Sequence, residues 1–217
     1  MFFLLCRESS KPIENNRNLS KTVENGRKTS RYKFYIVKKS KLEIILIVAT
    51  SVLVVASVVF WFLSDGKTWT TVAISVSTTA YHFAMRLLVG LVFDLSMKNR
   101  ADFNKPFFVV RPWEIRLYDF LRVGKWKKLL PTFRPDYFSL SKHSLDELIG
   151  AMCQAEVVHS VCALLSWLPL LLIIPFGEPF VFALTSMFGF LLDLVFVVTQ
   201  RYNRARVVKI LNRRKSN

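Results

Sequence analysis

Residues 143–206 read HSLDELIGAMCQAEVVHSVCALLSWLPLLLIIPFGEPFVFALTSMFGFLLDLVFVVTQRYNRAR. Polar and charged groups gather at the two ends of this stretch, and hydrocarbon fills its middle. Ala155-Glu156-Val157-Val158-His159 stands near the start, and Gln200-Arg201-Tyr202-Asn203-Arg204-Ala205-Arg206 closes it. Val157 to Phe176 and Pro179 to Thr199 are each long enough to cross a bilayer, which takes about 20 apolar residues. Phe176-Gly177-Glu178-Pro179 is the turn between them. Two helices joined by so short a turn form a hairpin, so both polar clusters are expected at one membrane face.

Two more spans precede the hairpin. Ile44 to Leu63 carries no charge, and Trp69 to Phe93 follows the turn Ser64-Asp65-Gly66-Lys67-Thr68. The expected fold is all-α: a polytopic membrane protein with four spans at 44–63, 69–93, 157–176 and 179–199. The composition agrees. The 217 residues are 52% hydrophobic and still carry a net charge of +16, so the charges must be segregated from the apolar runs.

The positions of the basic residues predict orientation. Residues 1–41 hold 11 Lys and Arg, the loop 94–150 holds 11, and the tail from Gln200 holds 7, which places 29 of 31 on one side. Only Lys67, in a turn, and Arg86, in a span, fall elsewhere. The positive-inside rule then sets both termini and the central loop in the cytoplasm of a multi-pass cell-membrane protein. The basic surplus points to anionic lipid headgroups. It does not point to nucleic acid, for which no motif is present. Residues 1–41 read as a basic, disordered cytoplasmic segment, with Arg31 to Lys41 and the interleaved Tyr32, Phe34 and Tyr35 as an interfacial anchor. Residues 42–217 form the membrane domain. Met1 to Cys6 is apolar but too short for a signal-peptide core.

The central loop contains its own element. Pro112, Trp113, Leu117, Phe120 and Leu121 give an apolar face at helical spacing, with Glu114, Asp119 and Arg122 mostly off it. Pro112 at the first position and Gly124 beyond the end mark its boundaries. Such a helix suits the headgroup layer. Lys125-Trp126-Lys127-Lys128 and Leu129-Leu130-Pro131 follow. Ser144 and Glu147 have capping-box spacing, and a helix from there to about Ile174 would be roughly 45 Å long.

Polar groups at membrane depth are the candidate functional residues. Ser75, Thr79, His82 and Arg86 share one face of the second span, and Asp193 is the sole charge in the fourth. Arg86 lies eight residues before Asp94, and Asp193 lies eight before Arg201. On two helices running the same way they should reach one depth and pair, since an isolated charge there is costly. That pair can be a packing device or part of a catalytic centre, and His82 can be a hydrogen-bonded structural residue on the same stripe. Glu156 and His159, at i and i+3, share a face. The pair suits base chemistry, in which a carboxylate orients an imidazole. It could also be half of a helical metal site or a satisfied interfacial pair, and no second copy exists to complete a metal site. A third group is cationic and aromatic: Lys125, Trp126, Lys127, Arg201, Tyr202, Asn203, Arg204 and Arg206. Its arginines suit phosphate or carboxylate. Positive-inside flanking alone would explain the charges, though not Tyr202-Asn203 set between two arginines. Glycine-rich phosphate loops and dinucleotide fingerprints are absent. Cys6, Cys153 and Cys162 lack zinc-site spacing, and Cys153 and Cys162 fall on one helix, which disfavours a disulfide between them.

In chain order, Glu114, Tyr118, Trp126-Lys127, Leu130-Pro131, Ala155-Glu156 with His159, and Gln200 to Arg204 with Arg206 form a series. It resembles the glycosyl-4,4'-diaponeurosporenoate acyltransferase family of carotenoid biosynthesis, over roughly residues 70–208. Where that family favours Pro after its Asn-Arg, this chain has Ala205. The resemblance implies a membrane O-acyltransferase. It would move a fatty acyl group from a cytosolic thioester, acyl-CoA or acyl carrier protein, to a sugar hydroxyl of a membrane glycolipid, with no cofactor. On that reading His159 is the general base and Glu156 orients it. Arg201, Arg204 and Lys127 bind the donor, Tyr202 and Asn203 polarise its carbonyl, and Trp126 lines the site. His82, Arg86, Asp193 and Glu114 support it. The alternatives are a non-enzymatic lipid-binding or assembly protein and another small membrane transferase such as a methyltransferase.

Overall fold

The computed structural model describes residues 41–63, 65–98, 101–130 and 143–216. The basic N-terminal segment, with all of its expected anchor but Lys41, lies outside them, as do Cys6 and Pro131. Every regular element among the described residues is helical. Four helical stretches are long and apolar enough to cross a membrane.

The first of these, α1 (Lys41–Phe62), has 22 residues and is about 33 Å long, which matches a hydrocarbon core of ~30 Å. Ile45, Val48, Val52, Val55 and Val58 are exposed along one side of it. A helix so apolar on its exposed faces is stable against lipid rather than water. It is held to α2 (Lys67–Met97) by Ser57 Oγ to Ser77 Oγ at 2.8 Å and by Trp61 Nε1 donating to Ser77 Oγ at 2.9 Å. Between the two helices the chain turns through Gly66, whose φ of +84° suits glycine.

In the central loop, α3 (Pro112–Phe120) begins at proline as expected and ends earlier than Gly124 suggested. Arg122 takes the left-handed conformation that breaks the helix, and Gly124 falls inside the short α4 (Val123–Trp126). Gly124 has a different use: a Cβ there would lie 3.0 Å from the Tyr202 hydroxyl, so its missing side chain lets α4 sit against the last helix. The orientation of α3 is inside out for a soluble protein. Glu114 and Tyr118 are buried, while Trp113, Leu117, Phe120 and Leu121 are exposed.

The hairpin consists of α5 (Leu145–Leu165), a 3₁₀ stretch (Leu168–Leu172), the single turn α6 (Ile173–Phe176), and α7 (Pro179–Ser216). The Ser144–Glu147 capping box forms, with both reciprocal hydrogen bonds. The unbroken helix expected from Ser144 to Ile174 does not form. Pro169 has no N–H to give the carbonyl of Leu165, and its ring crowds that carbonyl. The Tyr81 hydroxyl donates to the Leu165 carbonyl instead, at 2.9 Å. The fourth helix runs on through the basic tail to Ser216. Beyond the spans, α5 and α7 bury Leu148, Ile149, Met152, Val207 and Leu211 together, with Phe108 of the loop closing the cluster. Toward α2, Met85, Val89 and Cys162 pack together.

Candidate functional site

Two buried ionic centres lie along the seam between α5 and α7. The one farther from the Gly177 turn is built on Glu156, whose side chain is fully buried. Arg201 Nη1 donates to Glu156 Oε1 at 2.6 Å, and Arg204 Nη1 donates to Oε2. The same Arg201 makes a two-point contact with Glu114, Nε to Oε2 at 2.8 Å and Nη2 to Oε1 at 3.0 Å. It also reaches the carbonyls of Phe107 and Val109, and Arg204 donates to the Phe108 carbonyl at 2.7 Å. A chain of alternating charge, Glu114–Arg201–Glu156–Arg204, thus ties α3, the loop before it, α5 and α7 into one unit. Buried charges on this scale persist only when fully paired and hydrogen-bonded.

Glu114 shows the electrostatic result. Burial would raise its carboxyl, but Arg201, the Arg111 backbone N–H and the Tyr118 hydroxyl outweigh that and hold it below its ordinary value of 4.5. Tyr118 moves the other way. Burial and its 2.9 Å hydrogen bond to Glu114 push its hydroxyl up to about 12. Beside this unit, Lys127 reaches Asn203 Oδ1 and sits 4.7 Å from the centre of the Tyr202 ring, which meets Tyr118 edge to face. Arg206 lies over the same ring, and Trp126 Nε1 donates to the Leu121 carbonyl at 2.9 Å. Lys125 is exposed.

The second centre lies deeper in the bundle. Asp193, with 1% of its side chain exposed, accepts from Arg86 Nη2 at 2.6 Å on one oxygen and meets His159 Nδ1 at 2.9 Å on the other. The pairing of Arg86 with Asp193 expected from their matched depths is therefore present. Arg86 also donates to the carbonyls of His82 (2.6 Å) and Gly189 (2.9 Å), and Phe196 stacks on the His159 ring at 4.6 Å. Gly189 permits the crossing of α2 and α7, since a Cβ there would lie 3.0 Å from the His82 ring and 3.1 Å from Arg86 Nη2. Ser166, fully buried, lies 3.4 Å from the same nitrogen.

Two sequence-based expectations change. Glu156 does not orient His159: both of its oxygens are taken by arginines, and Asp193 occupies the position beside Nδ1. Nor are Arg201 and Arg204 free cations awaiting a phosphate, because each is committed to internal carboxylates and carbonyls. The His159–Asp193 contact had a signal in the sequence. His159 lies 18 residues before Gly177 and Asp193 lies 16 after it, so the hairpin register places them opposite one another.

A half-buried histidine held on a buried carboxylate, between helices long and apolar enough to cross a membrane, defines a class: helical membrane proteins with a buried polar centre inside the bundle. Within that class the assignment is specific. The family profile described as glycosyl-4,4'-diaponeurosporenoate acyltransferase matches residues 104–213, just over half of the chain, and the chain belongs to that family. The matched region contains α3, α5 and all but the last three residues of α7, and with them Glu114, Glu156, His159, Asp193, Arg201 and Arg204. No curated protein and no solved structure matches the chain.

Proposed function

We propose that the protein moves a fatty acyl group from a cytosolic thioester to a sugar hydroxyl of a membrane-embedded carotenoid glycoside, with His159 as general base. The observation that carries this reading is the 2.9 Å contact between His159 Nδ1 and Asp193 Oδ1. A donated Nδ1–H fixes the tautomer and leaves Nε2 as the basic nitrogen. Asp193 stays put because Arg86 grips its other oxygen, and about a quarter of the imidazole remains exposed, at 26%. Nε2 takes the proton of the attacking hydroxyl as its oxygen bonds to the thioester carbonyl. The intermediate collapses, the carbon–sulfur bond breaks, and His159 returns the proton to the departing thiolate. Direct transfer fits better than an acyl-enzyme, because Cys153 and Cys162 are both buried within helices.

Both termini and the central loop face the cytoplasm in this proposal, where acyl thioesters are made. The exposed apolar side of α3 rests in the headgroup layer, and the surrounding basic residues meet anionic lipid. The Glu114–Arg201–Glu156–Arg204 chain positions the loop beneath the site. Lys127, Tyr202 and Arg206 remain the side chains best placed to meet the donor. The test is acyl transfer by full-length protein in liposomes, using palmitoyl-CoA, a glycosylated carotenoid acid and mass detection of the ester. His159→Ala is expected to lose about 10²–10⁴-fold in rate while keeping its melting profile. A folded variant that turns over at the wild-type rate would remove His159 from the chemistry.

A further inference from the structure

Near the end of the bundle that carries the two short turns lies a cavity of about 360 Å³. Its size is within the range of small-ligand pockets, ~300–1,000 Å³. It opens among Trp61, Ile74, Tyr81, Leu168, Phe176 and Phe182, so α1, α2, the 3₁₀ break and α7 all contribute. Part of its wall is the 3₁₀ segment at Pro169, where Tyr81 ties off the Leu165 carbonyl.

The polar atoms one helical turn farther toward the Asp193 centre distinguish this cavity from a lipid-facing groove. Thr78 lines the cavity, and four residues on along α2 stands His82; Phe182 lines it, and four residues on along α7 stands Ser186. His82 is 6% exposed and Ser186 fully buried. Both ring nitrogens of His82, the Ser186 hydroxyl and Arg86 Nε have no hydrogen-bond partner among the described residues. Buried polar groups are paired in nearly all folded proteins, so four orphans gathered around one crossing call for a polar partner from outside the chain. The slot thus has an almost wholly apolar lining, and these buried polar groups lie one helical turn beyond its floor. Tyr81 and Arg86 are five residues apart, about 7.5 Å by helical rise, so the floor adjoins the Arg86–Asp193–His159 centre.

We propose that this cavity seats the alkyl tail of the acyl donor, methyl end toward the short turns, with the carbonyl end held beside His82, Ser186 and Arg86. The tail's carbonyl oxygen accepts from these donors, and the carbonyl carbon lies within reach of a hydroxyl activated at His159. The inference rests on the acyl-transfer reading and adds to it a place for the chain and a cause of chain-length selection. His82 and Ser186 then act as substrate-binding residues rather than packing residues.

The experiment uses full-length protein in liposomes and a palmitoyl-CoA analogue with a diazirine near its methyl end. Photolysis and peptide mass spectrometry are expected to find adducts on Trp61, Leu168 and Phe176. Excess palmitoyl-CoA should suppress them. Narrowing the slot with Ile74→Trp, or with Leu171→Trp at a position 65% exposed and so tolerant of change, should cut palmitoyl relative to octanoyl transfer about tenfold, the worth of a methylene or two in an apolar pocket. Adducts in the cavity with no ester formed would leave the tail site standing and sink the transferase reading. Adducts confined to lipid-facing α1 positions such as Val48 and Val55, with unchanged chain preference in both variants, would overturn the tail site while transfer persisted. Suppression by a carotenoid acid and not by palmitoyl-CoA would also overturn it.

Discussion

Replacing Asp193 separates stability from chemistry when done in two ways. In Asp193→Leu the guanidinium of Arg86 loses its 2.6 Å partner and keeps only the carbonyls of His82 and Gly189 and the Ser166 hydroxyl. Removing one member of a buried pair costs about 3–5 kcal/mol. For a chain of this size that lowers the thermal midpoint by roughly 10 °C. In the double variant Arg86→Met, Asp193→Leu both charges are gone and similar volume is restored, so most of that loss should return. Activity should not return, because His159 has lost the carboxylate that sets its tautomer, and both variants should transfer acyl groups about 10²–10⁴-fold more slowly than wild type. Differential scanning fluorimetry in detergent gives the midpoints, and ester formation in liposomes gives the rates. A double variant as active as wild type would refute the role given to Asp193. An Asp193→Leu protein melting at the wild-type temperature would refute the claim that the pair stabilises the bundle.

Gly189→Ala, which in an open helix would stabilise by about 0.5–1 kcal/mol, is expected to lower both midpoint and rate, because its Cβ meets His82 and Arg86 at 3.0–3.1 Å; a raised midpoint with full activity would show that α2 and α7 have slack there. Glu114, held below its ordinary 4.5, stabilises the protein above that pH, and the contribution drains away as pH falls through the lower folded value. The midpoint gap between wild type and Glu114→Gln should therefore be widest near neutrality and close in acid; a gap independent of pH would count against the Arg201–Glu114 pair as its source.

How far the sequence speaks depends on which force sets each feature. Span number and span limits follow from hydrocarbon thickness, a property of the solvent, so Ile44 to Leu63 can be read without its neighbours. The Ser144 capping box is local and equally readable. The Pro169 break was visible as a residue, yet a proline inside a spanning helix is often tolerated as a kink, and only the Tyr81 hydroxyl waiting at the Leu165 carbonyl decides for a 3₁₀ stretch. Partner choice among charges was hardest. Arg86 and Asp193 could be matched by depth because each is nearly alone in its span. Around Glu156, by contrast, several cations compete, and adjacency in sequence made His159 look like its partner. Helix register and the reach of an arginine side chain decide that competition, and an i, i+3 count contains neither.

The two carboxylates on the α5–α7 seam are satisfied differently, and the difference assigns their roles. Glu156 is saturated by two arginines, both themselves tied to loop carbonyls. Asp193 holds a guanidinium on one oxygen and an imidazole on the other. A base must change charge during the reaction, and its surroundings must tolerate both states. In the proposed mechanism that role falls to the Asp193 centre, which lies beside an apolar slot and beside polar atoms that have no hydrogen-bond partner among the described residues. The charges around Glu156 that drew attention in the sequence hold the loop in place. In the proposed reaction the chemistry falls to the sparser polar residues inside the bundle.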